Sequence, residues 1–228
     1  MFTFDNIVGF PAESRQNANI VLKNLGWLMV GKREATRRDL TERLLVAATA
    51  RIKNHGLQGL RARDITADAQ CGLGTIYKCY ADLDDLILHV NSSTIKELDR
   101  ALAAAGSKSS EPADQLVALA SAYFGFARKN RNSWSALFDH RMPPGVPIPD
   151  WHLREHNELF KHVMAPLAEL DPSMSEEALA LRTRSVFSAV HGIVTLSLEG
   201  RFVGVDVNAV ETELATIVRA LVEGLGKQ

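Results

Sequence analysis

The stretch from Leu40 to Leu86 constrains the fold of this chain more than any other part of the sequence. Within it, apolar residues four positions apart mark the inner face of each of two short helices, and a turn with two glycines separates them. These residues are Ile65, Ala69, Gly72, Gly74, Ile76 and Tyr80. The pattern is typical of a helix-turn-helix, and it predicts double-stranded DNA as a partner.

Capping patterns place a longer helix on either side of the motif. Thr36 and Asp39 have the spacing of a capping box, so we expect the preceding helix to begin near them. Gly56 suits the left-handed position that ends that helix. Asp82 and Asp85 form a second capping box and predict the start of a long helix after the motif.

The rest of the chain is predicted to be helical, because apolar residues recur every three or four positions and no strand alternation occurs. The segment from Met142 to Pro149 holds four prolines and is expected to be a loop. The prediction is an all-α fold with an N-terminal extension (residues 1–33), a three-helix helix-turn-helix domain (34–86) and a larger helical regulatory domain (87–228). The last two helices are apolar enough to need a partner, so we expect a homodimer.

Charge is distributed unevenly along the chain, although the net charge is only −1. Residues 1–80 carry 12 Lys and Arg against 7 Asp and Glu, whereas residues 81–228 carry 14 against 20. A basic N-terminal third favours a nucleic-acid partner, and chance is the alternative. Lys32, Arg33, Arg37 and Arg38 form a basic cluster that is either a flexible arm along DNA or a solvated helix start.

Several classes of protein are disfavoured by the composition. The only cysteines, Cys71 and Cys79, do not form a disulfide framework or a metal-ligand set, so we expect no metal, no cofactor and a cytoplasmic location. We expect Cys71 to be a small apolar plug in the turn. The apolar runs are too short for a membrane span, and the first residues lack the layout of a signal peptide.

The candidate DNA contacts cluster around the second helix of the motif. Tyr77 and Lys78 are predicted to point outward and to bind phosphates, and Thr75 lies at a helix N-terminus, which favours anions. Leu73 is able to touch a thymine methyl group, but few hydrogen bonds to bases are expected. The complete candidate set is Arg61, Arg63, Thr66, Gly72, Leu73, Gly74, Thr75, Tyr77 and Lys78. For Arg63, pairing with an acidic residue inside the domain is the alternative.

Leu44 to Leu86 closely resembles the N-terminal domain of TetR/AcrR-type transcriptional regulators. The resembling residues are Leu44 to Ala48, Gly56, Arg63 to Ile65, Gly74 to Tyr77, Tyr80 and Asp84 to Leu86. The sequence departs from the family at three positions. Gln70 stands at a turn position that is often Gly, Arg61 replaces the usual Ser or Thr cap, and Leu83 replaces a frequent Lys.

The second half resembles the regulatory-domain variant of that family known as WHG. The resembling segments are Trp134 to Phe138, Ala189 to Gly192 and Leu198 to Arg201, with Phe187 in the position of the variant's Trp. The resemblance implies a ligand-responsive regulator, expected to be a repressor, that binds a palindromic operator as a dimer through a four-helix bundle of its last two helices. It also implies a small-molecule effector that changes the spacing of the two DNA-binding heads.

The candidate ligand-pocket residues are mainly aromatic, because such side chains line small-molecule sites between helices. They are Tyr123, Phe126, Trp134, Phe138, Trp151 and His191. The alternative for each aromatic residue is ordinary core packing. The alternative for His191 is a structural hydrogen bond. A small-molecule-binding protein without specific DNA binding, or a small helical enzyme, remains the rival interpretation. No nucleophile–base pair or metal-ligand set in the sequence favours the enzyme.

Overall fold

The computed structural model describes residues 12–107 and 109–225, with side chains from 34 to 107 and from 109 to 224. These residues form no strand, and the prediction of an all-α fold is confirmed. The helices are α1 (Ala12–His55), α2 (Ala62–Asp68), α3 (Ile76–Cys79), α4 (Leu83–Gly106), α5 (Pro112–Lys129), α6 (Arg131–Asp139), α7 (Asp150–Leu170), α8 (Glu176–Leu198) and α9 (Val210–Leu225).

Helix α1 begins at Ala12, far before the predicted start. The prediction that a capping box at Thr36 and Asp39 opens the helix is wrong, because both residues lie inside it. The reason is that Ala12–His55 contains no proline, and the glycines at 26 and 31 each cost a helix only about 1 kcal/mol. Residues 1–11 of the predicted extension lie outside the described residues.

The basic cluster therefore belongs to a helix and not to a flexible arm. Arg37 and Arg38 are exposed on α1, while the side chains of Lys32 and Arg33 lie outside the described residues. The arm alternative is contradicted by the helical backbone. Gly56, which directly follows α1, has a φ of 70°, so the prediction of a glycine-dependent end is confirmed.

The N-terminal core lies where α1, α2 and α3 meet the beginning of α4. Its fully buried members include Leu44, Ile52, Ile65, Ile76 and Leu86. The predicted inward positions of the motif are thus confirmed. Cys71 packs against this core in the turn, but it is half-buried, whereas the sequence predicts a buried plug.

Helix α4 starts at the predicted capping box and contributes to both cores. The backbone N–H of Asp85 donates to Asp82 Oδ1 at 2.8 Å, and the N–H of Ala81 donates to Asp85 Oδ2 at 2.9 Å. Further along, Leu98 and Leu102 pack into a second core with residues of α5, α8 and α9. The same helix therefore connects the DNA-binding candidate with the larger helical part.

The larger helical part is built around α5, which packs against α4, α7, α8 and α9. Phe124, Leu167, Val194 and Leu214 are among its fully buried side chains. The predicted proline-rich loop joins α6 to α7. Among the described helices, none combines the length and apolarity that crossing a bilayer requires.

Candidate DNA-binding surface and ligand cavity

The second helix of the motif has a buried face and an exposed face. It begins as a 3₁₀ turn, Leu73–Thr75, and continues directly as α3. Ile76 and Tyr80 are buried, and the Tyr80 hydroxyl donates to the carbonyl of Thr41 at 3.0 Å. Burial raises the pKa of Tyr80 to about 12, so its proton stays available for this bond. This anchoring fixes which side chains face outward.

The outward side chains are those predicted to contact DNA. Tyr77 is 64% exposed and Leu73 is 48% exposed, and Lys78 is exposed as well. Thr75 is half-buried beside them. Gly72 and Gly74 are exposed as well. A Cβ added at either glycine would meet no atom within 3.8 Å, so neither position is crowded. A phenol, an ammonium group and an apolar side chain are thus presented together to solvent.

Helix α2 is held against α1 by an ion pair that sequence reasoning missed. Arg51 Nε lies 2.5 Å from Asp68 Oδ2, and Arg51 Nη2 lies 2.9 Å from Asp68 Oδ1. The Arg51 hydrogen bonds lower the pKa of Asp68. The partners are seventeen residues apart, so no local pattern signals the pair. It joins α1 to α2 at the protein surface.

Thr66 is removed from the candidate DNA contacts. Its side chain is 3% exposed, and its hydroxyl donates within α2 to the carbonyls of Ala62 and Arg63. Arg61 and Arg63 are exposed at the start of the same helix. Arg61 provides no side-chain cap there, as its departure from the family predicts.

The turn between α2 and α3 contains one residue with an unfavourable backbone conformation. Gln70 has a φ of 51°, a left-handed backbone conformation that glycine adopts without cost. Its position is the one at which the sequence departs from the family's frequent glycine. The turn is therefore formed as predicted, but with a strained residue in it.

An apolar cavity of about 160 Å³ lies among helices α4 to α9. It is lined by Leu98, Leu102, Leu116, Leu119, Ala120, Tyr123, Leu137, Phe138, His156, Leu159, Phe160, Val163, Val186, Phe187, Val190 and Val218. A dry, apolar cavity of about 150 Å³ accommodates a benzene ring. The cavity therefore fits a small apolar ligand without rearrangement.

The predicted pocket residues fall into different places. Tyr123 and Phe138 line the cavity, whereas Phe126 and Trp134 are buried in the second core outside its lining. Trp151 lies elsewhere, stacked on His89 at 4.8 Å between ring centroids. The sequence reasoning missed most of the lining because it favoured aromatic residues, whereas leucine and valine form most of the wall.

His191 adjoins the cavity through a hydrogen-bonded chain. Its Nδ1 lies 2.8 Å from the Tyr123 hydroxyl, and its Nε2 lies 3.3 Å from Thr195 Oγ1. Burial lowers the pKa of His191 and raises the pKa of Tyr123, so the uncharged form of each ring is favoured. His191 is therefore a hydrogen-bonded side chain, as the structural alternative for this residue predicts.

A second chamber of about 520 Å³ lies next to the apolar cavity. Its wall is mostly apolar but carries several polar side chains, and we call it the polar chamber. Leu137, His156 and Phe160 line both spaces, so a single layer of side chains separates them. The polar chamber also contains Asn91 and His140, and it opens toward the loop after α6. Within the described residues, no group of three or more His, Cys, Asp or Glu is placed to hold a metal ion.

Residues 116–221 match the family model described as the tetracyclin repressor-like C-terminal domain. The C-terminal part of the chain is therefore similar to that of TetR-type proteins, in agreement with the resemblance of its N-terminal part. Three solved structures illustrate the shared fold. They are a TetR-family transcriptional regulator from Streptomyces coelicolor (20% identity, 86% of this chain and 96% of that one, TM-score 0.61), FadR from Bacillus subtilis in complex with stearoyl-CoA (13%, 78% and 97%, 0.62) and RolR in complex with resorcinol (16%, 86% and 96%, 0.62). No curated protein sequence matches the chain.

The similarity to TetR-type proteins bears on the interpretation of the DNA-binding surface and of the cavity. Several of the solved structures are described as transcriptional regulators, which agrees with the prediction that the chain is not an enzyme. The matched segment contains α5 to α8, most of α9 and thus much of the cavity wall. The closer resemblance to the WHG variant stays a prediction.

Proposed function

We propose that this TetR-type chain is a ligand-responsive repressor that binds a palindromic operator as a homodimer in the cytoplasm. One observation supports DNA binding most directly. The helix Leu73–Cys79 rests on buried Ile76 and Tyr80 and exposes Tyr77 and Lys78 on its other side. A helix fixed in this way enters a major groove with its polar side chains directed at phosphates and bases.

Dimerisation is supported by an unpartnered stripe on α8. Leu181 and Leu196 are exposed on one helical face, and Ser185, Ser188 and Gly192 lie between them. Small side chains allow a second helix to approach closely. Phe202, between α8 and α9, is fully exposed as well. A second copy of the chain would cover these residues in an isologous interface, which matches a two-fold symmetric operator.

The apolar cavity supports the effector part of the proposal. Two proteins of similar fold, FadR and RolR, are described with stearoyl-CoA and resorcinol respectively. We propose an effector with an apolar body for this chain too, because the cavity wall is almost entirely hydrocarbon. The effector must bind the two conformations of the dimer unequally if it is to change DNA affinity.

Fluorescence anisotropy with DNA from the gene's own upstream region tests this function. The expected result is roughly thousandfold or tighter binding to one upstream fragment than to a scrambled fragment of equal length, which is the lower range for specific DNA-binding proteins. Equal affinity for both fragments at physiological salt would defeat operator recognition and favour a small-molecule-binding protein without specific DNA binding.

Light scattering coupled to size-exclusion chromatography tests the dimer. The wild-type chain is expected to elute as a dimer and the Leu196→Glu variant as a monomer, because two carboxylates would be buried at the interface. Val46→Glu, which places the same charge on exposed Val46 of α1, is the control and should remain dimeric. A monomeric wild-type chain at micromolar concentration contradicts the assembly.

A further inference from the structure

The polar chamber contains a buried hydrogen-bond acceptor without a partner. Asn91 is 1% exposed, and its Nδ2 donates to the carbonyl of Ala136 at 3.2 Å. That bond fixes the orientation of the amide, because a carbonyl accepts only from the nitrogen end. Asn91 Oδ1 is left buried with no hydrogen-bond partner among the described residues. Buried acceptors are rarely unpaired, so a ligand or water that donates is expected there.

His156 lies on the boundary between the two spaces and supplies a second acceptor. Its Nδ1 lies 3.1 Å from the carbonyl of His152, and this geometry requires Nδ1 to carry the proton and donate it. In the neutral ring, Nε2 then holds a lone pair. No hydrogen bond to His156 Nε2 occurs within the described part of the chain. The side chain lines both the cavity and the chamber.

The interior of the chamber does not favour an anion. Burial lowers the pKa of His152 to about 4, so this ring is uncharged at neutral pH. Its Nδ1 lies 3.8 Å from the carboxylate of Glu155, which adds negative charge next to the chamber lining. Arg141 is the cationic side chain in the lining, and it is exposed at the rim. The buried surface thus offers acceptors to a neutral donor.

We propose that the cavity and the chamber form one two-part site for a ligand with a benzene-sized apolar ring and, a few atoms away, a hydroxyl or N–H group that donates to Asn91 Oδ1. The apolar part occupies the space lined by Tyr123, Phe138 and Phe187, and the donor passes the boundary at His156. This inference rests on the proposed effector site and names the chemistry of its ligand. Neutral aromatic alcohols are the simplest members of the class.

Four probes of equal skeleton test the inference by isothermal titration calorimetry on the full chain without DNA. They are 3-phenyl-1-propanol, its methyl ether, propylbenzene and 3-phenylpropanoate. The alcohol is expected to bind about tenfold tighter than the ether and propylbenzene, because it alone donates to a buried, otherwise unpaired acceptor. The carboxylate should bind more weakly than the alcohol.

Asn91→Leu should reduce the affinity for the alcohol about tenfold and leave that for the ether unchanged. Asn132→Leu is the matched control, because Asn132 Nδ2 also donates to a backbone carbonyl, that of Lys53 at 2.9 Å, but lies outside the chamber. Its affinities should equal those of the wild type. If Asn91→Leu does not fold, the comparison of the four probes on the wild-type chain still decides the matter.

An alcohol that binds no tighter than its ether overturns the inference, and so does the absence of binding by all four probes. Neither result touches operator recognition, which is measured separately with DNA. Conversely, a preference for the alcohol in a chain that ignores its upstream DNA would defeat the proposed regulator and retain the two-part site.

Discussion

His140 Nε2 lies 2.9 Å from Asp84 Oδ1, and this contact joins the end of α6 to the first turn of α4. The side chain of His140 is almost buried, at 7% exposure, and it also lines the polar chamber. Asp84 lies in the first turn of α4, the helix that follows the candidate DNA-binding helix in the chain. The pair therefore connects the polar chamber with the helix that follows the surface proposed to meet DNA.

Replacing His140 with Leu should weaken the coupling between ligand and DNA. We expect operator affinity without ligand to change less than threefold, while the ligand-induced change in affinity falls several-fold, since coupling energies are typically 1–3 kcal/mol. His162→Leu is the matched control, because His162 Nε2 pairs with Asp99 Oδ1 at 2.7 Å on the distant part of α4. Equal ligand responses in the two variants, measured by anisotropy, would contradict this role.

The exposed cation of α3 should govern the salt dependence of DNA binding. Lys78→Gln is expected to weaken binding to all sequences and to reduce the slope of log affinity against log salt by about 0.9, as for one lost phosphate contact. Lys129→Gln, which removes an exposed charge at the end of α5, should leave the slope unchanged. Anisotropy titrations at several salt concentrations measure both. An unaltered slope for Lys78→Gln would rule out the contact.

The strained turn predicts a stabilising substitution. Gln70→Gly should raise the free energy of unfolding by roughly 0.5–1 kcal/mol, because it removes the left-handed penalty of about 1–2 kcal/mol at the cost of greater unfolded-state entropy. Gln70→Ala keeps a Cβ in the same conformation and should give no such gain. Chemical denaturation measures both variants. A gain as large in Gln70→Ala would show that the backbone conformation is not the cause.

Buried His152 predicts a loss of stability in mild acid. Its pKa is lowered by burial to about 4 in the folded chain, against about 6.5 when unfolded, so between these values the unfolded state binds more protons. The unfolding free energy should therefore fall by roughly 2–3 kcal/mol as pH decreases from about 6.5 to about 4. Urea titrations should show a shallower fall in His152→Leu, whereas a variant of exposed His55, His55→Gln, should follow the wild type. Parallel curves for wild type and His152→Leu would exclude this contribution.

Local features of the motif were predictable because their causes lie within a few residues. The Asp82–Asp85 capping box, the inward positions Ile65 and Ile76 and the turn at Gln70 depend on spacing alone. The all-α fold followed from the same periodicity.

Other features required the folded chain. The start of α1 was misplaced because a good capping pattern does not open a helix when helical residues precede it without interruption. The pair His140–Asp84 joins residues fifty-six positions apart, and the aliphatic wall of the cavity looks like ordinary core in sequence. Thr66 has a polar side chain at a plausible contact position, yet the fold buries it and its hydroxyl bonds within α2.

Because α4 lies in both cores, a small tilt of this helix would move one core relative to the other. Leu86 lies in the N-terminal core and Leu102 in the second, and at 1.5 Å per residue they are separated by about 24 Å along one rigid rod. A tilt of about 5° around one end displaces the other by about 2 Å by simple geometry. That displacement is enough to break a hydrogen bond to a phosphate, which tolerates only a few tenths of an ångström. If the chain binds DNA as proposed, a continuous helix would amplify a small change in side-chain packing into a displacement of the DNA-binding surface.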